Sequence, residues 1–130
     1  MGDRFCEPIL RWFRVKRILP FLKKETALLD IGCGSSATML RMIAPRIKKG
    51  VGIDVRAEAF TENNITVQQG SFDGVRLPFP DRSFDCVTLL AVIEHLVDWH
   101  MALTEAYRVL KPGGILLLTV PTWSAKPVLE

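Results

Sequence analysis

Apolar residues along this chain come in short runs separated by segments of helical period. Ala27–Ile31, Val51–Val55, Ile65–Gln68, Phe84–Leu90 and Ile115–Val120 each read as a strand. Runs of this length, bounded by turn residues, suit a sheet buried on both faces. Between them lie three helical patterns. Near the N-terminus Ile9, Trp12, Val15, Ile18 and Leu22 recur at helical spacing, and Pro20 kinks or ends that helix. Ala37–Ala44, largely apolar around Arg41, is stopped by Pro45 and should lie nearly buried on the sheet. The last pattern places Leu103, Ala106, Tyr107 and Leu110 on one stripe. Asp98 can cap it, and Lys111-Pro112-Gly113-Gly114 ends it.

Strands alternating with helices predict an α/β fold with a Rossmann-like, doubly wound, mostly parallel sheet. Lys48-Lys49-Gly50 is a turn, and residues 70–83 form a loop rich in turn residues. Only about nine residues link the second strand to the third. A parallel crossover usually needs a dozen or more, so the helix expected there is short or degenerate. No internal repeat or low-complexity tract interrupts the pattern.

Composition narrows the class without changing the fold. At 130 residues, 48% hydrophobic and 24% charged, the chain is one globular domain with a real core. Cys6, Cys33 and Cys86 are odd in number and lack metal spacing. They argue for a reducing, cytoplasmic setting with neither a disulfide framework nor a metal site. No run reaches membrane-span length, and no signal peptide is visible.

The net charge of +3 is unevenly placed. Residues 1–24 hold seven basic residues against Asp3 and Glu7. This segment is therefore set apart as a basic amphipathic helix packed on the domain, with residues 25–130 forming the core. Peripheral contact of residues 9–24 with an anionic membrane is the sharper alternative to a solvated charged face. Nucleic acid is not indicated, because no second basic cluster matches the first.

The candidate chemistry lies at the end of the first strand, in Leu28-Leu29-Asp30-Ile31-Gly32-Cys33-Gly34-Ser35-Ser36. Two glycines let the backbone turn sharply and let a ligand approach without meeting a Cβ. Free N–H groups at the following helix start favour a carboxylate or phosphate. Gly32, Gly34 and Ala37 fit G-x-G-x-x-G/A, and Asp54 lies 22 residues beyond Gly32 at the end of the second strand. A carboxylate there can accept both ribose hydroxyls of an adenosine-containing cofactor. Up to this point NAD and other adenosyl cofactors remain open.

Further motifs follow in order: Gly52-Ile53-Asp54, Leu77-Pro78-Phe79-Pro80-Asp81-Arg82-Ser83-Phe84-Asp85, Glu94-His95-Leu96 and Leu110-Lys111-Pro112-Gly113-Gly114. Over residues 25–120 the chain resembles the class I S-adenosylmethionine-dependent methyltransferases of the type 11 subgroup. The resemblance implies strand order 3-2-1-4-5, with S-adenosylmethionine as cofactor and S-adenosylhomocysteine as product. It also implies roles for particular residues. Asp30 and Gly32 line the methionine end, and Gly34 allows close approach. Asp54 holds the ribose diol, Ser71 and Phe72 flank the adenine, and Leu90 and Ala91 border the methionine moiety. Ser36 stands where many members have a third glycine, and Ser71 where an acid is common. The family usually continues into a helix and a C-terminal antiparallel hairpin, so the resemblance implies a chain truncated after the fifth strand.

The activity so implied is methyl transfer to a small-molecule or lipid acceptor, which needs alignment more than a nucleophile–base pair. His95 is a weak candidate for accepting the acceptor's proton, against a plain role as a packed helix-start residue. Cys33 reads as a small residue that fits the turn. The alternatives are a non-catalytic S-adenosylmethionine-binding or interaction module and, further off, an NAD-dependent oxidoreductase. Leu116, Leu117 and Leu118 on the last strand make an open sheet edge, so self-association through residues 115–120 is expected.

Overall fold

A computed structural model of the chain describes residues 2–120, with side chains described from residue 8 onward. The expected core domain runs to residue 130, so its last ten positions lie outside the described residues. The elements, in order, are α1 (Gly2–Ile18), β1 (Ala27–Ile31), α2 (Thr38–Ile43), β2 (Lys49–Asp54), β3 (Phe60–Glu62), β4 (Ile65–Gln69), β5 (Phe84–Leu90), α3 (Trp99–Val109) and β6 (Leu110–Thr119).

The sheet order is β3-β4-β2-β1-β5-β6. All pairings are parallel except β3 with β4. The five parallel strands β4-β2-β1-β5-β6 reproduce the expected 3-2-1-4-5 order. Leu28, Leu29 and Ile31 of the central strand are fully buried, because helices cover both faces. On one face Val15 and Ile18 of α1 join Leu40 and Ile43 of α2 over Leu28 and Cys86. On the other, Ala106 and Val109 of α3 pack with Leu29, Ile31 and Val87. No described helix is long and apolar enough to cross a membrane.

Four local expectations are corrected. No helix links β2 to β4. Nine residues are too few for one to form and return, and the chain makes the short strand β3, antiparallel to β4. Asn63 turns that hairpin at φ 54°, a conformation that asparagine adopts more readily than most residues. In α1 the stripe does not hold together, for Ile9 and Trp12 are 54% and 50% exposed. A spacing of three slips about 60° per step on a helix, so Ile9 ends up opposite Ile18.

Tyr107, placed on the core stripe of α3, is 82% exposed, and Glu105 is buried in its stead. Finally, Lys111–Gly114 does not precede the last strand but lies within it. Leu110 already pairs with Phe84, and a bulge with Gly113 at φ 81° delays the next pairing, Ile115 with Cys86.

The loop before β5 is pinned from α3. Glu105 accepts the Leu77 N–H at 2.7 Å, while Arg108 donates to Asp81 at 2.7 Å and to the Leu77 carbonyl at 3.1 Å. Asp98 caps α3, accepting the Met101 N–H at 3.1 Å, as expected from its position.

Candidate functional site

The C-terminal ends of β1, β2 and β5 open into one cavity of about 1360 Å³. In a doubly wound sheet this end of the strands is where ligands bind. Asp30, Gly32, Gly34, Asp54, Ser71, Phe72, Leu90, Ala91 and His95 all line it. Every residue singled out from the sequence is thus brought to a single place.

The glycine turn is tied to β2. The N–H groups of Gly32 and Cys33 donate to the Ile53 carbonyl at 2.9 and 3.3 Å, and the Gly34 N–H donates to Asp54 Oδ2 at 2.9 Å. Gly32 and Gly34 sit at φ 80° and 85°, where an L side chain is strained. Their surroundings differ. A Cβ on Gly32 would come 2.6 Å from Val92 Cγ2, whereas one on Gly34 would meet nothing within 4 Å. Gly34 therefore faces open cavity, and its missing side chain leaves room for a ligand. The helix after the turn has only six residues and no side-chain cap, so it offers less to an anion than its sequence suggested.

Asp54 is buried, and its carboxylate is fully engaged. Besides Gly34 it accepts the Arg56 N–H at 2.8 Å and Arg56 Nε at 3.2 Å. Burial pushes its pKa up, but the hydrogen bonds from Arg56 and Gly34 outweigh this and hold it below the ordinary carboxylate range. The Arg56 side chain itself is 70% exposed, so a ligand hydroxyl can take its place on the carboxylate.

Asp30 is the opposite case. It is buried beside Thr88, whose hydroxyl donates to Oδ1 at 2.7 Å. Burial dominates and lifts its pKa to about 7, the Thr88 bond working against the shift and the nearby Asp54 charge adding to it. A buried carboxyl poised this way favours an incoming cation. Burial, aided by Asp30 and Asp54, raises the Cys33 thiol to about 12, so it is no nucleophile.

At the end of β5, Ala91 adopts φ 58° and donates its N–H to Thr119 Oγ1 at 2.8 Å. Such a backbone is uncommon outside glycine and is held here by β6. Phe72 is half-buried near Gly32, and Ser71 is exposed at the cavity rim. His95 is exposed, with Nε2 3.7 Å from Glu94 Oε2, and not packed as a helix-start residue would be. Among the described residues no cluster of His, Cys, Asp or Glu could hold a metal ion.

Five residues in or beside the cavity were missed in the sequence. Thr88 is placed beside Asp30 only by the β1–β5 register, which no local pattern reveals. Arg56 carries a local signal, since a cation two residues after an acid can fold back on it. Arg11, Arg14 and Arg17 of α1 also line the cavity, and their spacing had been noted only as a charged face.

The methyltransferase domain family matches residues 29–118. The chain is 34% identical over 115 residues to the 27-O-demethylrifamycin SV methyltransferase of Amycolatopsis mediterranei, covering 81% of this chain and 42% of that protein. It is 36% identical over 121 residues to the demethylmenaquinone methyltransferase of Thermus thermophilus, covering 84% and 53%. Among solved structures, a chain in the complex of the Haloferax volcanii Trm112 methyltransferase activator with a methyltransferase aligns at TM-score 0.74 and 30% identity, covering 92% and 56%. The chain thus spans about half the length of the curated relatives it matches.

Proposed function

The chain belongs to the methyltransferase domain family, whose cofactor is S-adenosylmethionine, and we propose that it binds this cofactor to methylate a small-molecule or lipid acceptor. The observation that carries the reading is the convergence of two buried carboxylates, Asp30 and Asp54, with the open Gly34 turn on one cavity. Bound there, the cofactor supplies a methyl group already activated on a sulfonium.

The chain's own residues then have distinct tasks. Asp54 accepts the ribose hydroxyls in exchange for Arg56, while Asp30 answers the ammonium group. Gly32 and Gly34 permit the close approach, Ser71 and Phe72 flank the adenine, and Leu90 and Ala91 border the methionine chain. His95, exposed at the rim, can take a proton from the acceptor. Two relatives are named for small organic acceptors, which supports an acceptor of that class here. The buried free thiols of Cys33 and Cys86 fit a reducing cytoplasm.

Calorimetric titration of the chain with S-adenosylmethionine, S-adenosylhomocysteine and NAD tests the cofactor. Binding of the first two and not of NAD is expected, and the reverse result would overturn the reading. Cofactor binding with no methyl release to any acceptor would favour a non-catalytic module instead.

Two contact surfaces belong to the same proposal. The outward face of α1 exposes Ile9 and Trp12 beside Lys16, a pattern that suits peripheral contact with an anionic membrane. The outer strand β6 exposes Ile115 and Leu118, which suits self-association.

A further inference from the structure

The glycine turn is tied to β2 at its start, but its far end has little local support. Ala37 sits at φ 50°, a left-handed conformation that alanine seldom adopts, and the helix α2 that it opens has no side-chain cap. Ser35, Ser36 and Ala37 all line the cavity. Among the described residues, the side-chain hydrogen bond that reaches this stretch of backbone is donated by Arg41 Nε to the Ser36 carbonyl, at 2.8 Å.

Arg41 is itself held from the side away from the turn. Its Nη1 donates to Glu62 Oε1, and its Cζ lies 4.4 Å from the centre of the Phe60 ring. Phe60 and Glu62 stand two apart on β3, so they share a face. The strand is short, but its pairing fixes it: Phe60 opposes Val67 and Glu62 opposes Ile65, both buried. The hairpin that stands where a crossover helix was expected thus braces the arginine. A surface ion pair alone contributes little. Three contacts on one planar guanidinium fix its direction, which a flexible ammonium could not do.

We propose that Arg41 is a positioning residue for the cofactor. Braced by Phe60 and Glu62, it holds the Ser36 carbonyl and keeps the turn in the shape that receives the methionine end. The inference rests on the S-adenosylmethionine reading of the cavity. Arg41 is not among the residues lining that cavity, so it acts through the turn. A turn that spends less time in the receiving shape binds proportionately less tightly.

Two ligands separate this role from a general one: S-adenosylhomocysteine, and methylthioadenosine, which keeps the adenosine and lacks the amino acid. Calorimetry on Arg41→Ala should show S-adenosylhomocysteine bound at least fivefold more weakly and methylthioadenosine within about twofold of the unchanged chain. Arg41→Lys keeps the charge and cannot span both partners, so it should lose as much. Full binding by that variant would mean that charge alone matters, and would overturn the proposal. Amide exchange in the ligand-free chain should quicken at residues 35–38 in both variants. Unchanged exchange there, or an equal loss for the two ligands, overturns the proposal as well. Arg41 and Glu62 are exposed, so the variants should fold. If Arg41→Ala does not, Glu62→Ala, which frees the arginine on one side, should still lose at least twofold for S-adenosylhomocysteine. Undiminished binding by Glu62→Ala would remove the hairpin from the role. If the unchanged chain binds neither ligand, the cofactor reading has failed and the positioning role with it, whereas binding indifferent to Arg41 fails this inference alone.

Discussion

Asp54 has two tasks that a substitution separates. It holds the Gly34 N–H, and so the glycine turn, and in the proposed cofactor complex it also offers oxygens to the ribose. Asp54→Ala should therefore weaken S-adenosylhomocysteine binding by more than the two charged hydrogen bonds lost, each worth about 1.5–3 kcal/mol. It should lower the melting temperature as well. Asp54→Asn keeps an acceptor for Gly34, so it should restore most of the stability and only part of the affinity. Equal stability of all three proteins would show that the turn does not depend on this residue. Asp30 carries the pH dependence. Its pKa rises from 3.8 to about 7 on folding, so between those values the native chain binds more protons than the unfolded one. Stability should therefore fall as pH rises through that window. Asp81, Asp54 and Glu105 are shifted the other way and lose stability as pH falls through the usual carboxylate range. Denaturation of Asp30→Asn from pH 4 to 8 isolates the contribution: the decline should flatten. Thr88→Val removes the bond that restrains the shift and should move the decline to higher pH.

At the scale of the element, the glycine turn and the segments around it show what a sequence can disclose. Gly32 and Gly34 look alike in the motif but differ in their surroundings, so their variants should diverge. Gly34→Ala strains the backbone by about 1–2 kcal/mol and projects its methyl into the open cavity. It should stay folded and lose the thermal shift that S-adenosylhomocysteine gives. Gly32→Ala meets Val92 as well and should be markedly less stable, as circular dichroism melting can show. Identical melting of the two variants would contradict the packing described. The strands β1 and β5 were legible to the residue because each is a buried run closed by turn residues. The hairpin β3–β4 was not legible, for Phe60–Glu62 is too short and too exposed to show a period. Tyr107 and the α1 stripe failed for a related reason: spacing names candidates for a face, and tertiary contact chooses among them. That the acids and glycines would meet at one cavity was readable because they lie at strand ends and in the turn that follows. Thr88 and the cavity-lining arginines of α1 depend on which elements become neighbours.

For the whole molecule, two exposed apolar surfaces bear on the contacts proposed for it. The outward face of α1 carries Ile9 and Trp12, both exposed, with Lys16 over the Trp12 ring. Phosphatidylglycerol vesicles should sediment the chain, Ile9→Ser/Trp12→Ser should stay in solution, and phosphatidylcholine vesicles should not retain the unchanged chain. Binding that the double substitution leaves intact would remove α1 as the contact. The second surface is the sheet edge at β6. Its inner edge is bonded to β5, and among the described residues no strand pairs with its outer edge. Ten residues of strand with Ile115 and Leu118 exposed make a long template for another chain. The bulge at Lys111–Gly114 interrupts only its first half, and the run 115–119 is regular and uncharged. Light scattering should accordingly report more than a monomer at micromolar concentration. Leu118→Lys, which puts a charge on an exposed edge position without touching the core, should shift the chain toward monomer and leave S-adenosylhomocysteine binding unchanged. A chain that is monomeric without the substitution would mean that this edge is covered, and β6 would cease to be a contact surface.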